Sequence, residues 1–528
     1  MLAQALARVS AATGVDVRTS GTGLSVGGTT IAKPDWDNLN FRHAFPSRAH
    51  GDQREKLLYV AVQDAGERQP HRTDGALRKR LETLLPVSDQ RAARVVADAM
   101  REQYWVNPSQ RPFLLPYHSA LPLSFAHSLG DDLDDRARYR MFSGAIIPFL
   151  CWTGAGTDRQ LIAELLAVFN GSDGFTLLDD LLLRAVHAFA GEPGEADAAK
   201  LDRRLPDEVR AALGAGAFCQ PSLDRFQRDL KTVLGMKLPR RDLIESLNEL
   251  LGLHLAIIYY RVAVVLSEEI DEAVAADAGL PARGTSCDCS GGLPACSLAG
   301  RIRFRVGTRG YRPVSMKDGC VQSYRDVDAK RLLALPANII TANLLHHIWV
   351  ALDGGASSQP RVGALASRIR SDRSFAKVFG AAAAGFAILH RADREQPAAA
   401  RPADLLPGTH ALRESVLAAR RSTLKHTSRD VVNQLAMDSS GTGGALLRRH
   451  GTRVTFFELD EPFLFLIAKL ICRDQEVPLE EFQRELADYG LAPQDAAESA
   501  RLAAALDGMG MLVRYSDSGD SAYVRHIV

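Results

Sequence analysis

The sequence predicts a mainly α-helical, multidomain scaffold with a small Cys/Arg-rich β insertion near its middle and a winged-helix domain at its C-terminal end. Three observations lead there. Ala, Leu and Arg are abundant while aromatic residues make up only 7% of the 528 residues, a composition that favours helix over sheet. Apolar residues recur at spacings of three and four through most of the chain. One short segment breaks that rhythm by gathering four of the seven cysteines around an alternating arginine run.

Residues 1–125 read as an α+β region. Their first forty positions are rich in Gly and Thr, and GLSVGGTTIA alternates as a small hairpin does. Helical periodicity follows in LLYVAVQDA, ALRKRLETLL and DQRAARVVADAMREQYW, before Pro108, Pro112, Pro116 and Pro122 impose an extended connection. Residues 126–285 form a helical domain, with two helices joined by the turn at 170–174, a surface loop at 191–200, and further helix over 223–234 and 241–278. The apolar run 250–266 contains His254 and Arg261 and is shorter than a spanning helix needs, so it predicts a buried helix and no membrane contact. Its tail, SEEIDEAVAADAG, is expected to face solvent.

The β insertion occupies 286–327, and helix continues over 328–395, where SRIRSDRSFAKVFGAAAAGFAILHR reads as one helical stretch. Pro and Ala content makes 396–410 a linker. In the C-terminal region, 411–528, the order from about residue 452 is strand, three helices, hairpin. Leu479, Phe482, Leu486, Leu502 and Leu506 supply an apolar stripe, and the layout is that of a winged helix. Its third helix offers Asp495, Glu498 and Asp507 against Arg501 alone, which suits protein contacts better than a DNA groove.

A net charge of +1 excludes a uniformly basic polyanion binder. The charge is instead concentrated: between positions 301 and 331, nine Lys or Arg meet only Asp318, Asp326 and Asp328. Within that stretch Arg301, Arg303 and Arg305 alternate with Ile302, Phe304 and Val306, so a strand sets the guanidiniums on one face. With Arg309, Arg312 and Lys317 they form a candidate set for phosphate oxygens, positioning nucleic acid without reading its sequence. The competing reading is a solvated edge strand paired with nearby acids. Cys287, Cys289, Cys296 and Cys320 flank the run as the ligands of a small metal-clipped hairpin would, and four thiolates suit a structural zinc. Their first spacing is C-x-C rather than C-x2-C, and idle thiols in a loop are the alternative. An odd cysteine count with no signal peptide points to the cytoplasm.

Catalytic motifs are lacking. Neither G-x4-G-K-[ST] nor H-E-x-x-H occurs. Gly23 to Gly27 matches G-x-S-x-G, but GGTTIAKPDW cannot turn into the helix that a nucleophile elbow requires. The tandem His346 and His347 point about 100° apart on a helix and read as one core and one surface residue.

The blocks GRIRFRVGTRGYRPVSMKDGC, LLALPANIITANLLHHIWVAL and DEPFLFLIAKL to SDSGDSAYVR resemble a family of bacterial phage-defence accessory proteins. These are the G component of phosphorothioation-dependent DNA restriction and related subunits encoded in methylation-associated defence islands. The resemblance spans roughly a third of the chain and carries no catalytic residue. It implies a non-ATPase accessory subunit of an anti-phage DNA restriction system, working beside an ATPase or helicase-like partner on invading DNA. The expectation is therefore DNA-backbone contact through the basic strand and partner contact through the winged helix. Two readings from other classes stand beside it: a metal-dependent nuclease and a winged-helix transcriptional regulator.

Overall fold

The computed structural model describes residues 2–34, 36, 58, 82, 88–106, 113–114, 143–171, 173–177, 179–180, 197–216, 218–284, 287, 296, 302–306, 329–353, 362–394, 405–419, 446–450, 454–493, 495–515 and 522–526. Helices take up 69% of them, as the composition predicts.

The chain opens on a helix, α1 (Leu2–Thr13), which the sequence reading did not foresee, followed by the antiparallel meander β1 (Val17–Ser20), β2 (Gly23–Val26) and β3 (Thr29–Ala32). The expected hairpin is β2–β3. A Cβ at Gly23 would sit 2.1 Å from the Ile31 carbonyl oxygen, so glycine there answers to strand packing, and the G-x-S-x-G match is a strand. Alternate residues Leu24, Val26 and Ile31 are buried, with β1 packed against α1 and β2 and β3 against two later helices. Next come α2 (Gln90–Tyr104) and a two-residue ladder of β4 (Trp105–Val106) with β5 (Phe113–Leu114).

The helical body follows as α3 (Ser143–Leu150), α4 (Arg159–Asn170), α5 (Ala198–Asp202), α6 (Asp207–Gly214), α7 (Gln220–Gly235) and α8 (Arg240–Asp277). Asp158 caps α4 by accepting from the Leu161 N–H at 3.0 Å, a cap legible in the sequence. Helix α8 has 38 residues, about 57 Å of helix at 1.5 Å per residue. Its middle is apolar on every side, and a stretch of helix without a polar face must be enclosed. Of its most apolar 18-residue window, 83% is buried inside the fold. Helices α7, α9 (Ala329–Leu352), α10 (Gly363–Ser371) and, further on, α13 pack around it.

Two sequence expectations fail in this body. The acidic tail of α8 does not face solvent: Glu269 and Glu272 are buried. Glu268 meets Arg331 at 2.8 Å, Glu272 meets Arg370 at 2.7 Å, and Asp271 meets Arg413. Asp277 accepts from both the N–H and the hydroxyl of Thr409 at 2.9 and 2.8 Å. The tail is a docking rail for later segments, and its partners lie too far along the chain for local charge counting to find them. Second, the stretch read as one helix after 366 is two, α10 and α11 (Arg373–Asp393). Asp372 divides them by accepting from the Ser374 and Phe375 N–H groups at 2.9 and 3.0 Å.

Residues 405–410, the end of the predicted linker, are packed, with Leu405 and Thr409 buried. There α12 (408–419) starts so close to α11 that a Cβ at Gly408 would lie 1.9 Å from the Gly380 carbonyl oxygen. His346 is buried and His347 is not, as helical geometry requires; His347 donates to the Ala32 carbonyl at 2.8 Å, tying α9 to β3.

The C-terminal elements are β7 (Leu447–His450), β8 (Val454–Leu459), α13 (Glu461–Cys472), β9 (Val477–Pro478), α14 (Leu479–Asp488), β10 (Leu491–Pro493), α15 (Ala496–Gly508), β11 (Leu512–Arg514) and β12 (Ala522–Val524). Asp460 and Asp495 cap α13 and α15. Strands β11, β12 and β9 form a small antiparallel sheet in that order, while of the predicted stripe Phe482, Leu486, Leu502 and Leu506 are buried and Leu479 is partly buried against the core. Buried apolar residues from Leu6 to Val524 make one contiguous cluster, running through elements that the sequence reading assigned to different domains.

Candidate functional site

The arginine run contributes β6 (Ile302–Val306), and its partners come from elsewhere in the chain. Strand β10 pairs with it in parallel on one side, Leu491 opposite Ile302 and Ala492 opposite Arg303. Strand β8 pairs in parallel on the other, Arg305 opposite Glu458 and Val306 opposite Leu459. Strand β7 adds antiparallel to β8, giving the order β10-β6-β8-β7. The basic strand is thus interior to a mixed sheet and is not an edge strand. Both of its edges are hydrogen-bonded, which fixes its register firmly.

That register sorts residues onto two faces, because opposed residues share a face and neighbours alternate. Leu459 and Leu491 are fully buried, and the positions of Ile302, Phe304 and Val306 fall on the same face as these two. The other face holds the positions of Arg303, Arg305 and Glu458. Through β8 it also includes Arg448, opposite Phe456, and His450, opposite Val454. Glu458 is partly exposed. Arg448 and His450 were missed by sequence reasoning; LRRH is too short to declare a strand, and only its pairing with β8 puts it in line. Arg301, Arg309, Arg312 and Lys317 lie outside the described residues.

Of the four cysteines proposed as zinc ligands, Cys287 and Cys296 are described, and Cys289 and Cys320 lie outside the described residues. Cys296 packs against the core, whereas Cys287 lines a pocket with the sequence-distant Cys219. Among the described residues no group of three or more His, Cys, Asp or Glu is placed to hold a metal ion.

A buried polar joint fixes the C-terminal elements to the helical body. Asp229 on α7 accepts from the Tyr489 hydroxyl at 2.8 Å and contacts His254 Nε2 of α8 at 2.9 Å. Arg225, one turn earlier, donates to the Tyr489 hydroxyl and to Glu485, both at 2.9 Å, lies 3.4 Å from Asp229, and stacks over the Tyr489 ring at 4.3 Å. Arg261 of α8 donates to the Ser222 hydroxyl and, at 2.6 Å, to the Asp488 carbonyl. Burial pushes the His254 pKa below its ordinary value despite the Asp229 contact, leaving a neutral imidazole that donates to the carboxylate. Burial, reinforced by the Asp229 charge, drives the Tyr489 phenol well above its usual range, so it keeps its proton and donates. Burial also works against the Arg225 charge, but Tyr489, Asp229 and Glu485 outweigh it and hold the guanidinium charged. His254 and Arg261 were the sequence signal: two polar residues inside an apolar run.

Comparison of the chain with protein-family models gives no match, and comparison with curated proteins gives none.

Proposed function

We propose that this chain is a non-ATPase accessory subunit of a bacterial anti-phage DNA restriction system, holding the nucleic-acid backbone on the arginine face of the β10-β6-β8-β7 sheet. The observation that carries the binding reading is the register that sets Arg303, Arg305, Arg448 and His450 on one sheet face with a single carboxylate, Glu458, among them. Planar, permanently charged donors spaced along a rigid sheet match phosphate oxygens and carry no base-edge information. The defence setting, with its ATPase or helicase-like partner, rests on the resemblance of the block that builds β6 and of the blocks in α9 and α13.

The helix–strand–helix–strand–helix–hairpin order from α13 to β12, with sheet order β11-β12-β9, supports reading that segment as a winged helix. The exposed positions of its third helix, α15, include Ala496, Ala497, Ala500, Ala504 and Asp507, none of which donates to a base edge or a phosphate. That surface suits a protein partner, and it argues against the transcriptional-regulator reading.

An electrophoretic shift assay on a 30-base-pair duplex at low salt tests the proposal. The triple variant Arg303→Glu/Arg305→Glu/Arg448→Glu is expected to lose binding by a factor of about 100 or more. Arg484→Glu, an exposed charge on α14, is expected to leave binding unchanged. A shift that survives the triple change overturns the reading.

A further inference from the structure

Arginine is not the only chemistry on the sheet face that bears the positions of Arg303 and Arg305. The parallel register that sets Arg305 opposite Glu458, carried two residues back, sets Arg303 opposite Phe456. On the far side of β8, Phe456 is opposite Arg448, and on the near side of β6, Arg303 is opposite Ala492. One row across the sheet therefore runs Ala492, Arg303, Phe456, Arg448, with neighbouring positions about 4.8 Å apart. An aromatic position lies between two arginine positions. Glu458, the one carboxylate position on this face among the described residues, belongs to the next row, about 6.6 Å along β8.

Solvent reaches this face on both sides of β6. Ala492 and Glu458 are partly exposed, whereas their chain neighbours Leu491 and Leu459, on the opposite face, are fully buried. Duplex DNA presents its phosphates outward and keeps the faces of its bases stacked inside, so arginines can hold it and an aromatic position gains nothing from it. A single strand offers phosphates and base faces together. Surfaces that hold single strands combine cations for the backbone with aromatic rings for the bases.

We propose that this face takes single-stranded nucleic acid, with a base stacked on Phe456 in the middle of the row and the phosphates to either side held by Arg303 and Arg448. On the reading that the arginine face is the nucleic-acid site, Phe456 decides the form of nucleic acid that it takes. Stacking needs only a π-face, which every base has, so the site holds strands of any sequence.

Fluorescence anisotropy on the full chain, with a 15-nucleotide oligothymidylate and a 15-base-pair duplex at one salt concentration, tests this. Phosphate contacts alone favour the duplex, the denser polyanion, so tighter binding of the single strand is the expected and diagnostic result. Phe456→Ala should weaken oligothymidylate by about fivefold or more and the duplex less than twofold, while Phe456→Tyr should bind as the wild type does. Phe456→Leu separates stacking from folding, because it keeps an apolar side chain: it should lose affinity as Phe456→Ala does while thermal unfolding stays unchanged. Oligouridylate bound more tightly than oligothymidylate, with the same dependence on Phe456, also supports the proposal and identifies the strand as RNA. Duplex binding equal to or tighter than single-strand binding, or single-strand affinity indifferent to Phe456→Ala, overturns it. In that event, loss of duplex binding in Arg303→Glu/Arg305→Glu/Arg448→Glu leaves the backbone reading standing alone. Binding of no nucleic acid by the wild-type chain overturns both.

Discussion

Arginine is treated in opposite ways at the two places where the C-terminal elements meet the rest of the chain. At the joint of α7, α8 and α14, Arg225 lies within ion-pair reach of three carboxylates, Asp229, Glu485 and Asp488, and its plane is covered by Tyr489. On the β10-β6-β8-β7 sheet, three arginine positions share a face with one glutamate position. Where carboxylates outnumber guanidiniums, the charge is consumed in holding elements together. Where arginine positions outnumber carboxylate positions on one sheet face, the proposed function assigns the excess to an external anion. On this proposal the ratio of charges, more than the count of arginines, is what separates a structural arginine from a binding one.

The harshest test of this contrast is Asp229→Ala, which removes the shared acceptor of Arg225, His254 and Tyr489. Urea denaturation should show a loss of about 3–5 kcal/mol, because the buried Tyr489 hydroxyl and His254 imidazole lose their acceptor and Arg225 loses the most buried of its three carboxylates; a loss below about 1 kcal/mol would mean that the joint is not structural. Tyr489→Phe keeps the ring under Arg225 and deletes only the hydroxyl, so a smaller cost of about 1–3 kcal/mol is expected in the same experiment.

On the sheet the expected pattern reverses. Arg448→Ala should leave the unfolding free energy within about 0.5 kcal/mol of wild type, while the slope of log affinity for duplex DNA against log salt becomes shallower by about 1. A large stability loss with an unchanged salt slope would place Arg448 with the structural arginines and erase the contrast.

The mildest probe is pH. Burial holds the folded His254 pKa below its ordinary value of 6.5, so as pH falls through that value the unfolded chain takes up a proton that the folded chain does not. The joint's contribution is therefore complete above about pH 6.5 and declines below it. Unfolding monitored at pH 7.5 and 5.5 should show this decline, and His254→Gln should flatten it; a decline of the same size in the variant would assign it to other groups.

Much of the local architecture was legible. The hairpin of β2 and β3, the burial of α8, the helix over α9 and the helix–helix–helix–hairpin order near the C-terminal end all follow from periodicity and turn chemistry, which act over a few residues. So do the caps at Asp158, Asp460 and Asp495, since a side chain two or three positions from an orphan N–H needs no tertiary help. The split at Asp372 was equally available and was overlooked because apolar residues run through it. Of the candidate site, the alternation that puts Arg303 and Arg305 together was visible, and their company was not. Arg448 and His450 reach the same face only through β8, about 150 positions downstream of β6.

Sequence by itself determined that the chain is mostly helical, that a long apolar helix must be enclosed, and that one strand concentrates positive charge. Each follows from periodicity, hydrophobic burial or alternation, which are properties of neighbours. Tertiary structure alone decided the partners: that the acidic tail of α8 is buried under Arg331, Arg370 and Arg413, that β6 is interior to a sheet made by C-terminal strands, and that Asp229 of α7 meets Tyr489 some 260 positions away. An ion pair or a strand pairing depends on separation in space, and two residues a hundred positions apart carry no local trace of the distance that folding will set between them.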